Sequence, residues 1–207
     1  TGNKVTGSGS TIIKINPSNT FASGTEYYIL IDATAFDDAA GNSYAGISST
    51  TALSFTSKDT VKPYLTSTVP AHLATDIATN ANIVLNFSET VVAQSGGHYI
   101  TIFNKSDDSE FEKIDVTNAK VSGSGTNQIT INPGTNFVEK SIYYIKIDAT
   151  AFDDSSGNSY GGISGTNKYK FTIVDSTNPT LSTSSPTDGA TNVNTLSSLV
   201  LTFDEDI

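Results

Sequence analysis

Two adjacent carboxylate pairs, Asp37/Asp38 and Asp153/Asp154, are the residues in this chain best equipped to do chemistry. Each stands in nearly the same phrase, YYILIDATAFDDAAGNSYAGIS from Tyr27 and YYIKIDATAFDDSSGNSYGGIS from Tyr143. Three chemistries could use such a pair. Glycoside cleavage needs two carboxyls at a set separation across a cleft, and adjacent residues of an extended segment point to opposite sides. A hard cation is the second possibility, because calcium takes six to eight oxygens and gathers carboxylates from several loops. The third is architectural: D-x-x-G-N builds an Asx-type turn, in which Asp accepts backbone N–H groups and Gly supplies φ > 0. The turn and the cation both stay open, and one residue can serve both.

No other constellation competes with the acidic pairs. Cys is absent, which excludes a disulfide framework, a thiolate metal site and a Cys nucleophile. His72 and His98 read as surface or edge residues, and nothing marks one Ser among many as a triad nucleophile. No enzyme is expected. Tyr27/Tyr28 and Tyr143/Tyr144 could stack on sugar rings, but strand alternation buries one of each pair, with its hydroxyl on the backbone. The other is left on the outer face. Tyr44 and Tyr160, in longer loops, are the better candidates for contact with a glycan. A net charge of -10 argues against nucleic acid, which needs a positive footprint. There is no run of about 18 apolar residues, so no membrane insertion is expected.

The elements that must position these residues form a repeat. Sliding the sequence by 116 positions sets Pro17 on Pro133, Asp32 on Asp148, Phe55 on Phe171, Pro70 on Pro186 and Phe87 on Phe203, without a gap. Of the first 57 residues, 32 are identical to their partners. The chain then divides into 1–57, the C-terminal half of one unit; 58–174, a complete unit; and 175–207, the N-terminal part of a third. A half-unit cannot bury its own apolar face. A longer parent array is expected, with exposed pairing edges near 11–31 and 196–207 that a strand of another copy could join.

The complete unit reads as about seven short strands. Ile83, Leu85 and Phe87 in NIVLNFS alternate with Val84 and Asn86, the period of a half-buried strand. The segments 63–70, 98–105 and 110–116 are further strands, and VSGSGTNQITINP holds a Gly-rich hairpin turn followed by Ile129 and Ile131 on one face. Residues 142–148 bury Tyr143, Ile145 and Ile147, and 168–174 bury Tyr169, Phe171 and Ile173. Strand signals every 10–20 residues without a helical period predict an antiparallel sandwich.

The order of these signals resembles the bacterial Ig-like repeats of secreted adhesins, surface-layer proteins and large exoenzymes. The likeness rests on Asp59-Thr60-Val61-Lys62-Pro63, Val69-Pro70, Ile83 to Phe87, Ile129 to Pro133 and Tyr143 to Asn158, and it covers essentially the whole chain. It implies an all-β fold of tandem Ig-like antiparallel β-sandwiches with a period of 116 residues, placed outside the cell or at its surface. On activity it is nearly silent, because such folds serve as spacers, adhesive tips and enzyme accessories alike.

An odd number of antiparallel strands carries the chain from one pole of a unit to the other. Loops after the second, fourth and sixth strands then gather where the chain comes in. That places Asp59, Glu89, Asp148, Asp153 and Asp154 in one region. Asp175, Asp204, Glu205 and Asp206 fall in the corresponding region of the next unit. Asp107, Asp108 and Glu110 sit at the outgoing pole, and Asp37 and Asp38 repeat the sixth loop in the first unit. Facing acidic poles cost free energy unless a cation intervenes, so calcium at the junctions is the expected cofactor. Resemblance to calcium-dependent bacterial Ig-like arrays implies the same. The expected function is a non-enzymatic spacer of a surface or secreted protein, as an adhesin stalk, filament or surface layer. Its partners would be neighbouring Ig-like repeats of the same or an identical chain. The alternative is a carbohydrate- or surface-binding module accessory to an adhesin or exoenzyme, with a surface glycan as ligand.

Overall fold

Period-two alternation becomes strands throughout the chain, and the computed structural model describes residues 4–195 and 198–207. No helix occurs among the described residues. Four short strands come first: β1 (Val5–Thr6), β2 (Lys14–Ile15), β3 (Glu26–Tyr28) and β4 (Ser54–Thr56). Nine build the central sandwich: β5 (Leu65–Val69), β6 (Ile83–Ala93), β7 (Tyr99–Asn104), β8 (Glu110–Asp115), β9 (Val121–Ser122), β10 (Thr126–Ile131), β11 (Ile142–Ile147), β12 (Phe152–Asp153) and β13 (Lys170–Thr172). A last hairpin joins β14 (Leu181–Ser185) to β15 (Val200–Phe203). The expected edge at 196–207 begins with residues 196 and 197, which lie outside the described residues.

One sheet of the sandwich runs β12-β6-β10-β9, with β5 also on β6, and the other runs β13-β11-β7-β8; every named pairing is antiparallel. The chain therefore enters β5 at one pole and leaves β13 at the other. Strand β6 is the organiser. Residues 84–86 pair with both β10 and β5, which must lie on opposite edges, while β12 takes up the β5 edge further along, at Val92 and Ala93. The pattern had predicted a strand over 82–88 only. It runs on to Ala93, where β12 folds back and pairs with Val92 and Ala93.

Ile83, Leu85, Phe87 and Val91 of β6 face Ile100, Ile102, Tyr143, Ile145, Ile147, Phe171 and Ile173 across a closed core. Phe111, Phe137, Tyr143 and Phe171 form a connected ring cluster, with centroids 4.8–6.4 Å apart. Such contacts add about 0.5–1.5 kcal/mol per pair beyond area burial. The Tyr143 hydroxyl accepts from Val138 N at 3.1 Å, and Tyr27 accepts from Ala22 N at 2.8 Å. Tyr144, expected on an outer face, is buried as well. Register sets it opposite Phe103, the rings stack at 5.0 Å, and the ammonium groups of Lys105 and Lys146 cover the stack.

Outside the sandwich the same residue types lie open. Leu201 is 49% exposed, whereas Leu85, 116 positions earlier, is fully buried. Backbone bridges Ile31↔Ile47 and Asp37↔Ser43 have counterparts in Ile147↔Ile163 and Asp153↔Ser159.

Candidate metal centre

β5 and β12 share one edge of β6, and Glu89 sits in the gap between them. Leu65 pairs with Phe87, so the linker before β5 runs back along β6 toward Glu89. Asp153 pairs with Val92, so the residue that follows it approaches Glu89 from the other side. Three carboxylates meet there: one oxygen each from Asp59, Glu89 and Asp154 lie within 4.8 Å of one another. Asp154 is buried and the other two are partly so.

Each member is held by the chain around it. Asp59 Oδ1 accepts from Ser23 Oγ at 2.8 Å and Val61 N at 3.0 Å. Asp154 Oδ1 accepts from the backbone N–H groups of Ser156 and Asn158, both at 2.8 Å, and Oδ2 accepts from Asn158 Nδ2 at 2.7 Å. The same amide reaches the linker, donating to Asp59 O at 3.3 Å. The D-x-x-G-N phrase is thus an Asx-type turn, with Gly157 at φ +82°. Asp38 builds the same turn with Ala40 and Asn42. Turn and carboxylate cluster coexist at Asp154, whereas Asp38 is exposed and belongs to no such cluster among the described residues.

The electrostatics follow from the crowding. Burial first, then the charges of Asp154 and Asp59, push the Glu89 carboxyl up from its usual range. Burial opposes ionisation of Asp154 too, but Asn158, Ser156 and Gly157 donate enough hydrogen bonds to hold it below the ordinary value. Among the described residues no ion pair reaches any of the three carboxylates. An ion with oxygen ligands at about 2.3–2.6 Å spans about 4.6–5.2 Å between opposite ligands. Oxygens no more than 4.8 Å apart fall within that span, so one hard cation could bridge them.

The other expected ligands are engaged elsewhere. Asp148 Oδ2 accepts from Tyr99 N at 2.9 Å and ties β11 to the start of β7. Asp153 keeps a buried Oδ1 that has no hydrogen-bond partner among the described residues. Asp107 closes the β7–β8 turn on Ser109, and Asp108 pairs with Lys105 at 3.4 Å. Asp37 enters a backbone bridge with Ser43, and Asp204 accepts from Thr180 N at 2.7 Å. Of the two loop tyrosines, Tyr160 is 7% exposed and packs edge-on against Phe87 at 5.2 Å, so it offers no face to a sugar. Tyr44 is 44% exposed.

A second acidic group lies where the sandwich hands over to β14. Lys140 Nζ bridges Asp175 at 3.0 Å and also contacts Glu205. The Thr177 hydroxyl and then Lys140 hold the Asp175 carboxyl down at about 2, while Glu205 and Asp175 raise the Lys140 ammonium. Neither Lys140 nor Ser23 stood out in the sequence. Both lie in a stretch where the copies diverge, residues 22–26 against 138–142, between Phe21/Phe137 and Tyr27/Tyr143, which recur.

A family of known domains agrees with this architecture. The family described as bacterial Ig-like domain matches residues 1–57, 59–173 and 175–207. Comparison with curated protein sequences gives no match. Among solved structures the chain is similar to CopC from Methylosinus trichosporium OB3b, with a TM-score of 0.38 and 15% identity over 56% of this chain and 97% of that one. It is similar to PcoC, a copper resistance protein from Escherichia coli, with a TM-score of 0.36 and 23% identity over 53% of this chain and 98% of that one. The S-layer protein rSbsC aligns with a TM-score of 0.36 and 16% identity over 59% of this chain and 15% of its own.

Proposed function

The chain belongs to the bacterial Ig-like domain family, and from that premise we infer that it is a non-enzymatic spacer of a surface or secreted protein whose first joint takes a divalent cation. The units proposed are 1–57, 58–174 and 175–207. The observation that carries the reading is the meeting of linker residue Asp59 with Glu89 and Asp154 of the sandwich, all within 4.8 Å. A cation there binds the linker to the unit that follows and turns a pivot into a fixed angle. Three carboxylates are a hard oxygen donor set, which suits calcium; copper prefers the imidazole or sulfur ligands that this cluster lacks. Extracellular calcium modules bind at about 10⁻⁴–10⁻³ M. Calcium at 10–100 times its Kd is then expected to stabilise the chain by about 1.4–2.7 kcal/mol, a rise of several degrees in melting temperature. No upward shift at 10 mM calcium in a thermal melt would end the metal reading.

Neighbouring Ig-like repeats of the same or an identical chain are the proposed partners, able to cover exposed apolar residues such as Leu201. Sedimentation is expected to show mass rising with concentration. A strict monomer would exclude the identical chain as the covering partner.

A further inference from the structure

The two joints of the chain share a plan and differ at the hinge, where Ser23-Gly24 stands at the first and Glu139-Lys140 at the second. At the first, Gly24 N donates to Lys58 O at 3.3 Å; at the second, Lys140 N donates to Val174 O at 3.3 Å. At the first, Ser23 Oγ accepts from Thr60 N at 2.7 Å; at the second, Glu139 accepts from Ser176 N at 3.4 Å and from the Ser176 hydroxyl. Asp59 Oδ1 accepts from Val61 N at 3.0 Å, and Asp175 Oδ1 from Thr177 N at 3.1 Å. Glu89 and Glu205 stand 116 positions apart, like Asp59 and Asp175. The linker and β6 carboxylates and the hinge backbone thus have counterparts, with Gly24 at φ +57° and Lys140 at φ +62°.

We infer that the residue at this hinge position decides which cation its joint accepts: glycine at 24 leaves the carboxylates to a metal ion, and lysine at 140 supplies the cation itself. A Cβ added to Gly24 would stand 3.6 Å from both Cβ and Cγ of Asp59, in ordinary van der Waals contact. A side chain at 24 thus starts directly beside the linker carboxylate. Lys140 makes the corresponding approach, and its Nζ lies between Asp175 and Glu205. The ammonium is a compact point charge on a long flexible stem, able to occupy the place of an ion between two carboxylates. The left-handed backbone forbids nothing, since Lys140 already adopts it. The second joint is then closed permanently, while the first closes only when calcium is present.

The metal half of this inference rests on the proposed function; the lysine half does not, and the experiment separates them. Backbone 15N relaxation is recorded on the whole chain in chelator and in 10 mM calcium. In chelator, Lys140→Gln is expected to lower the order parameters of residues 175–177 from rigid values of about 0.85 toward 0.6 or below. Lys140→Arg, which keeps the charge, is expected to leave them high. Unchanged order in Lys140→Gln overturns the lysine lock whatever calcium does. Gly24→Lys is expected to order residues 59–61 in chelator and to weaken their calcium response at least tenfold. If Gly24→Lys leaves both the order and the calcium response as in the wild type, position 24 does not choose the cation. If the wild type shows no calcium response at 59–61 while Lys140→Gln still loosens 175–177, the metal reading fails and the lysine lock stands.

Discussion

Phe87→Ala is expected to destabilise the central sandwich by about 3–5 kcal/mol, the largest single loss predicted for the chain. Phe87 is 2% exposed and holds Phe152 at 5.4 Å and Tyr160 at 5.2 Å. Those two rings flank the turn that carries Asp154. Truncation therefore removes transfer energy, opens a cavity the strands cannot close, and loosens the acidic turn in the same step. Urea unfolding of the whole chain measures the loss, and a fall below about 1 kcal/mol would show that the turn does not pack on β6. Phe203→Ala serves as the control. Phe203 occupies the corresponding position of β15 but is only partly buried, so its loss should be much smaller.

Glu89→Gln is expected to act in opposite directions with and without metal. In chelator at neutral pH it relieves the burial cost, and then the repulsion from Asp154 and Asp59, that raise Glu89, so the variant melts higher than the wild type. With calcium it lacks one charged ligand, and affinity should fall about hundredfold, at the upper end of what loss of supporting contacts alone can cost. The sign of the pH dependence is fixed by the same shift. A carboxyl whose folded pKa lies above its ordinary 4.5 binds its proton more tightly in the native state. Stability of the metal-free wild type therefore declines as pH rises from about 4.5 through the raised value and is flat beyond it. The Gln variant lacks that slope. Melts at pH 5 and pH 7, each in chelator and in calcium, measure all of this; curves that coincide for variant and wild type would mean the three carboxylates share no site.

The core of the sandwich was legible because alternation is a local signal. Ile83, Leu85 and Phe87 announce β6, and Tyr143, Ile145 and Ile147 announce β11. The duplicated phrase likewise marks the Asx turn at Asp38 and Asp154. What escaped depends on contacts distant in sequence. Asp148, Asp153 and Asp154 look equally suited to a metal, but only the last meets Asp59 and Glu89. That choice is made by β5 and β12 lying on one edge of β6, which no local pattern records. Tyr144 escaped for a similar reason: its burial requires Phe103 directly opposite, and register is a property of two strands together. Lys140 was hidden differently. A search for repeats looks at what recurs, and Lys140 lies in the stretch 138–142, where the copy departs from 22–26.

The antiparallel order of the sandwich has a consequence under load. The chain enters β5 at one pole and leaves β13 at the other, so tension on its ends runs parallel to the strands. The rungs joining β5 to β6 and β13 to β11 must then slide past one another together rather than unzip one by one. Shear distributes a pull over several hydrogen bonds at once, and the joints, being single crossings of the chain, become the first places to yield. The proposed cation at each joint, metal at the first and lysine at the second, would reinforce the weakest link in the line of force.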